Sequence, residues 1–436
     1  MSISARKPPP AVPASVAAVA DAISRAPACS REPETPRMTD QKKRPGSAAL
    51  QALTAAAMTL PAYQAAAATR DETTRVSLRT ALYDEAELDP AQVSSDTTER
   101  YDIEVGQFRA SAPLGEHFAV ALDVAYETMS GASPWFVQPD ADGRPVQVMS
   151  GATIDDARTD ILLSLSRYNE AGRRVSLSLG QSTENDYESH NLGLEVEWED
   201  ADKMTAYTLG GGVSSDRITP TDAQTRFPSR PDDEDKQSMT VLGGISQILG
   251  PKTVIQTALS VSYLDGYLSD PYKLVSVEDD LRQDARPDGR WTAAWTTRLR
   301  RRYAGVGATA HLDYRLYGDD WNVVSHTVSL AWYQGVGERL TLTPSLRYYS
   351  QSQAFFYQPF FRVRRDDNLY SSDYRLSPYG AVTLGLSGEY RWEQLSLTAS
   401  FERYDSSGDY AVGSVVTENP GLVDFTVLAV GLQYAF

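Results

Sequence analysis

Soft ligands and nucleophiles are scarce in this 436-residue chain. Its histidines are His117, His190, His311 and His326, and its one cysteine is Cys29. Without spaced Cys or His pairs there is no zinc-type motif, so neither a metal site nor a cofactor is expected. Only the stretch DDWNVVSHT gathers the residue types of a hydrolase: Asp319, Asp320, Ser325 and His326. If it is a strand, Ser325 and His326 point to opposite faces, the wrong geometry for a nucleophile and its base. No catalytic residue is therefore assigned, and the chain reads as a non-enzyme. The acidic runs PDDEDK (231–236) and EDDLRQD (278–284) lack the spaced ligands and glycine turn of a calcium loop. They read first as solvated loops, with Ca²⁺ binding or cation-bridged contact to lipopolysaccharide as the alternatives. The glycines 210–212 suit a bend or a close strand contact rather than a phosphate cradle.

A second set of reactive groups recurs at every other position. Arg298, Arg300 and Arg302 alternate behind Trp291, Trp295 and Leu299, and His311, Asp313 and Arg315 alternate with Leu312, Tyr314 and Leu316. Glu195, Glu197 and Glu199 repeat the pattern, and Arg347 falls on the polar face of its own run. Period two is the signature of a strand with one apolar and one polar side. If the apolar side meets lipid, the charges must face a lumen, because Arg or Lys on the lipid side costs about 2–4 kcal/mol at mid-depth. Basic and acidic ladders opposed across water would impose a transverse field. The simpler alternative is that they pair and solvate a polar interior, or hold a plug.

The elements that would position these charges are strands throughout. The runs FAVALDVAY, RVSLSLG, HNLGLEVEW and VIQTALSVSY all alternate. The segmentation predicts sixteen strands, at 74–83, 101–111, 117–127, 156–168, 173–184, 187–199, 204–216, 236–247, 253–265, 290–303, 306–317, 321–335, 339–350, 374–391, 394–405 and 421–436. Alternate connections are tight, while most of the others are long and polar, which is the loop asymmetry of an outer-membrane barrel. Negative mean hydropathy argues against a helical membrane protein but not against a barrel, whose strands are only half apolar. The 24 tyrosines against 11 phenylalanines suit membrane interfaces.

The two ends carry addresses. Residues 1–37 read as a Pro/Ala/Ser-rich extension, with Met38 as the expected true start. Lys42, Lys43 and Arg44, the weakly apolar stretch 48–60 and the alanines near 65–67 then make a secretory signal over 38–68. Removing residues 1–67 takes away eight basic and four acidic residues and moves the charge from −17 to −21. A chain that acidic is no nucleic-acid binder. At the other end, Val430, Leu432, Tyr434 and Phe436 share a face, with Gly431 beside them. Gly431, Tyr434 and Phe436 resemble the C-terminal insertion signal read by the barrel-assembly machinery, although Ala429 stands where that signal usually has a polar residue.

The local motifs SGASPWF (130–136), GYLSDPYK (266–273), HLDYRLYGDDWNVVSHT (311–327), SLRYYSQSQAFFY (345–357) and SSDYRLS (371–377) resemble the bacterial outer-membrane family catalogued as domain of unknown function 3570. The resemblance spans nearly all of residues 69–436. It implies a barrel without an established reaction. It also implies a periplasmic or lipoprotein partner in a redox-linked envelope system, since members are often encoded near a flavin transferase and a small lipoprotein. On the sixteen-strand topology these motifs fall at the extracellular rim. The rim residues singled out are Ser133, Pro134, Trp135, Asp270, Pro271, Tyr272, Asp319, Asp320, Trp321, His326, Asp373, Tyr374 and Arg375. They read either as loops folding into a plug or vestibule, or as plain turns and aromatic anchors, with Trp135 and Trp321 in an interface belt.

The expected fold is an all-β transmembrane antiparallel up-and-down β-barrel of about sixteen strands in a Gram-negative outer membrane, in contact with outer-membrane lipid and lipopolysaccharide. The leading functional expectation is a porin-like conduit for small polar solutes or ions. The alternative is a non-conducting plugged barrel serving as an envelope scaffold, and an outer-membrane hydrolase ranks behind both.

Overall fold

The computed structural model describes residues 73–150, 154–170, 172–221, 230–278 and 280–436. The expected extension (1–37) and signal segment (38–68) lie outside the described residues. Sixteen antiparallel strands close into one barrel. In chain order they begin with β1 Arg75–Glu85, β2 Tyr101–Leu114, β3 Phe118–Gly131, β6 Ile154–Tyr168, β7 Arg173–Thr183, β8 Tyr187–Glu199, β9 Thr205–Ile218 and β10 Glu234–Gly250. The second half comprises β11 Thr253–Gly266, β14 Gly289–Tyr303, β15 Ala308–Asp319, β16 Val324–Val336, β17 Leu340–Gln351, β18 Tyr379–Trp392, β19 Leu395–Ser407 and β20 Phe425–Ala435. Each pairs with its sequence neighbour in the wall. β20 returns to β1 in unbroken register from Arg75↔Ala435 to Glu85↔Phe425. That pairing leaves no open edge, which lipid would not tolerate.

All sixteen expected strands form. One boundary departs clearly: the strand expected from 374 begins at Tyr379. Asp373 accepts a hydrogen bond from the Arg375 amide and starts a short 3-10 turn over Tyr374–Leu376 instead. An Asx-type cap competes with strand pairing there.

The pattern of burial inverts that of a soluble protein. Leu78, Leu163, Leu177, Leu194, Leu259, Trp295, Leu330, Leu346, Leu384, Phe401 and Val430 are exposed on the outer wall. Ser182, Thr240, Ser260 and Thr292 are buried within. One end of the barrel has only short turns, such as the one carrying Gly307 at φ +64°, and both chain ends of the described barrel emerge there. The other end carries eight connections, here named L1 (86–100), L2 (132–153), L3 (184–186), L4 (219–233), L5 (267–288), L6 (320–323), L7 (352–378) and L8 (408–424). L2 folds its own hairpin, β4 Pro134–Pro139 with β5 Pro145–Met149. L5 folds another, β12 Leu274–Val277 with β13 Asp280–Gln283.

Candidate functional site

The loops do not extend away from the barrel. They pack against one another across its mouth. Two glycines from the rim motifs launch the turns. Gly131 ends β3 at φ +117°, and a Cβ there would lie 1.9 Å from the Arg100 carbonyl oxygen. Gly266 ends β11 at φ +107°, 2.3 Å on the same measure from the Asp235 carbonyl oxygen. Only glycine combines that backbone conformation with so close an approach.

Every loop is tied to another. Arg100 of L1 reaches the Gly421 carbonyl of L8 at 3.4 Å, and the Met149 amide at the end of L2's hairpin donates to Ser95 of L1. Lys273 of L5 donates to the Pro134 carbonyl of L2 at 3.0 Å. Tyr272 of L5 donates to Asp186 of L3, and its hydroxyl accepts from the Thr221 amide of L4. The Phe355 amide of L7 donates to the Trp321 carbonyl of L6. Asn419 of L8 donates to the Tyr357 hydroxyl and the Ser372 carbonyl of L7, at 2.9 and 3.0 Å.

At the centre L5 and L7 share a buried ionic cluster. Arg375 grips both carboxylate oxygens of Asp373 and reaches Asp270 at 2.8 Å. Arg286 bridges Asp284 at 2.6 Å and Asp373 at 2.8 Å. With Lys273 the cluster holds three aspartates and three cations, so burial leaves no net charge. Burial alone would hinder ionisation of Asp373, but Arg375, Lys273 and Arg286 more than offset it and hold the carboxyl far below its ordinary range. Burial lowers the Lys273 ammonium from its usual value despite the aspartates beside it.

Apolar side chains form two further clusters among the loops. Trp321, Phe356, Tyr357 and Leu376 pack with Ala354 and Val323. Val275, Val277, Phe361 and Tyr370 form a second core under the L5 hairpin. The Arg290 guanidinium lies 4.3 Å from the centre of the Trp321 ring, while it pairs with Asp319 at 2.6 Å.

The rim residues expected from sequence thus mostly converge here. Ser133 is buried and accepts from the Tyr101 hydroxyl at 2.6 Å. The Pro271 carbonyl accepts from Arg230 at 3.1 Å. Asp320 accepts from the Trp291 amide at 3.1 Å and stays exposed at the rim, and Trp135 sits edge-on to Phe136. Two expectations are corrected. Trp321 is 2% exposed and donates to the Gly289 carbonyl, so it is a core residue of the mouth and not a belt anchor. His326 does not face the mouth. The register that pairs inward Tyr317 with Ser325 turns His326 outward, where it bonds the Tyr314 hydroxyl at 2.8 Å. Ser325 and His326 do occupy opposite faces, as alternation requires.

Below the mouth the lumen is polar and wetter. Glu195, Glu197 and Glu199 line β8, with Arg174 reaching Glu195 at 2.7 Å and Glu197 at 2.8 Å. Arg298, Arg300 and Arg302 line β14, where Arg300 pairs with Asp313. The two ladders are not opposed, however. β8 is sixth and β14 tenth in the closed order of sixteen, a quarter of the circumference apart. Counting strands in the wall, and not alternation alone, sets that angle. Their local partners also divide the field between Arg174 and Asp313.

Arg286, Asn419 and both loop hairpins were missed by sequence reasoning; Lys273 was read only as the end of a rim motif, and Asp284, read as part of a solvated acidic run, is 3% exposed. The available signal was apolar content where solvated loops should be polar, in KLVSV (273–277) and AFFYQPFF (354–361). At the C-terminus, Tyr434 donates to Gln394 at 2.7 Å. Phe436 closes the last ladder through its amide to the Thr74 carbonyl, and Gly431 faces inward against Thr398.

The family model described as "Protein of unknown function (DUF3570)" matches residues 50–420, so the chain belongs to that family. No curated protein matches the sequence. Solved structures resemble it at low identity. CdiB from Acinetobacter baumannii is 8% identical with a TM-score of 0.47, over 84% of this chain and 61% of that one. The siderophore receptor PirA from Pseudomonas aeruginosa is 13% identical with a TM-score of 0.39, over 78% and 57%. A BenF-like porin from Pseudomonas fluorescens Pf-5 is 10% identical with a TM-score of 0.41, over 84% and 100%. The chain therefore spans about three fifths of the first two.

Proposed function

We propose that this member of the DUF3570 family is a bacterial outer-membrane barrel closed to the outside by its own loops. Its lower lumen forms a charged, water-filled cup open to the periplasm. The observation that carries the reading is the buried Asp270–Arg375–Asp373–Arg286–Asp284 cluster, which ties L5 to L7 across the mouth. An open porin has no need to desolvate five charges at its entrance. The outer apolar wall is what lipid requires, and the short-turn end is where a periplasmic or lipoprotein partner would dock. On this reading the protein is a non-conducting envelope component at rest. Passage of small polar solutes is the second reading, favoured by the polar lower lumen, and it requires the loops to move. Ser325 and His326 point apart and so do not form a nucleophile–base pair with each other.

Liposome swelling tests the choice. Proteoliposomes of the folded protein are expected to swell no faster than empty ones in small sugars. Those made with a chain whose residues 354–374 are replaced by a short Gly/Ser linker should swell. Rapid swelling by the unmodified protein would favour the conduit.

A further inference from the structure

We propose that the first half of L8, residues 408–418, is a lipid-binding flap. It folds over the outer wall of the barrel and sets Tyr410, Val412 and Val416 into the boundary of the outer leaflet. The proposal rests on the reading of the chain as an outer-membrane barrel and does not depend on whether the mouth is closed.

L8 divides in two. Its second half enters the mouth, where Asn419 bonds Tyr357 and Ser372. Its first half turns the other way, and contacts on the outward face fix it there. Strand parity defines that face. Leu346 on β17 and Leu384 and Leu386 on β18 are exposed on the outer wall, so Tyr348, Ser350 and Gly380, at the same parity, also point outward. The Tyr348 hydroxyl donates to the Tyr410 carbonyl at 2.6 Å. The Val412 amide donates to the Ser350 hydroxyl at 2.8 Å. Ser350 is buried although it faces out, because the flap covers it. A Cβ on Gly380 would overlap the Tyr410 carbonyl, so the missing side chain is the space the flap occupies. At its far end the flap is pinned by Glu418, which accepts from the Ser407 hydroxyl at 3.0 Å and from the Gly408 amide.

Height on the wall identifies the occupant. Tyr390 and Trp392 are exposed on the outward face at the short-turn end of β18, as aromatic residues are at a lipid boundary. Gly380 lies 10 residues further along the same strand. At a rise of about 3.3 Å per residue and a tilt of about 40°, that climb is about 25 Å, the height of the apolar band of an outer-membrane barrel. The flap therefore lies at the opposite boundary, on the side of the long loops.

Its surface suits that position. The run AVGSVVT (411–417) carries no charge. Tyr410, Val412 and Val416 are 43%, 70% and 95% exposed. The exposed tip of L7, by contrast, carries Arg362, Arg364, Asp366 and Asp367. The apolar side chains of the flap continue the apolar wall of Leu346 and Leu384 below them. Burial of such residues at the acyl boundary, with a tyrosine among them to reach the headgroups, is how interfacial segments hold a membrane.

Spin labelling in dioleoylphosphatidylcholine vesicles tests this. The full chain carries Cys29→Ser, so each introduced cysteine is its one thiol. Labels are placed through Val412→Cys and Val416→Cys. Leu384→Cys is the reference for lipid, and Val363→Cys, exposed on L7, is the reference for water. Oxygen concentrates among acyl chains and should relax the labels at 384, 412 and 416 several-fold more than a water-soluble nickel chelate does. At 363 the chelate should dominate. Adding Gly380→Val, which drives a branched side chain into the Tyr410 carbonyl, should shift the 416 label toward the chelate and leave the 384 label unchanged. A 416 label that behaves like the one at 363 overturns the proposal. So does one whose spectrum broadens with protein density through contact with a second copy, or one indifferent to Gly380→Val. A 384 label open to the chelate instead sinks the barrel reading itself, and the flap with it, so the two failures are told apart.

Discussion

At the residue scale the mouth depends on a few side chains with no substitute. Arg375 serves two aspartates from 3% side-chain exposure. Truncating it to glutamine removes the guanidinium from buried Asp270 and leaves Asp373 to Arg286; breaking such a buried pair typically costs about 3–5 kcal/mol. Amide hydrogen exchange within L7 should accelerate accordingly, while the barrel strands keep their protection. Uniform loss of protection across the strands would show instead that the cluster supports the whole barrel. Gly131 offers a backbone test of the same assembly. Alanine at φ +117° stores about 1–3 kcal/mol of strain, and its Cβ would also displace the Arg100 carbonyl. The Gly131→Ala barrel should lose its compact, fast-migrating gel form at a lower temperature than the unmodified protein. An unchanged transition would mean that L1 and L2 are not held as described.

Loops, at the element scale, divide into those that respond to pH and those that do not. Burial raises the Asp186 carboxyl to about 7, with Asp156 and Asp270 adding to the rise and the Tyr272 hydroxyl opposing it. An unfolded aspartate ionises near pH 3.9. Below that pH the group is neutral in both states and costs nothing. Between about 4 and 7 the exposed form ionises while the buried form resists, so the packing that buries Asp186 weakens as pH rises. Exchange of L5 amides, corrected for intrinsic rates, should therefore increase from pH 4 to pH 7 and level off above. Asp186→Asn should flatten the profile. Asp373 behaves oppositely. Its carboxyl is depressed, so its stabilisation is complete at neutral pH and fades only in strong acid.

The same scale explains what was legible in the sequence. All sixteen strands were readable because lipid outside and water inside impose period two, from Leu163 opposite Leu179 to Leu346 opposite Leu384. The 3-10 turn at Tyr374–Leu376 was not, because a single aspartate cap outweighs a short apolar alternation. Rim residues could be singled out by motif, but several of their contacts cross between loops far apart in sequence, as in Arg286–Asp373 and Arg375–Asp270. No local periodicity encodes such pairings. The angle between the charge ladders failed for a similar reason, since each strand shows its own faces but not its place in the ring.

At the scale of the whole molecule, closure is the common theme. The wall closes through β1 and β20, and on the reading proposed above the mouth closes through L5 and L7. Phe436 tests the first closure. Its ring is exposed at the barrel end beside Tyr434, where an assembly receptor would meet it. Deleting Phe436 should lower the amount of folded barrel recovered from outer membranes several-fold while leaving refolding in detergent nearly unchanged. Equal losses in both would assign the residue to stability rather than to recognition.

The second closure is tested most directly by single-channel conductance in a planar bilayer, comparing the unmodified barrel with a chain whose L7 residues 354–374 are replaced by a short Gly/Ser linker. A closed mouth predicts a silent bilayer with the first protein and steady, salt-dependent openings with the second. Steady openings from the unmodified barrel, matching those of the shortened chain, would contradict the account.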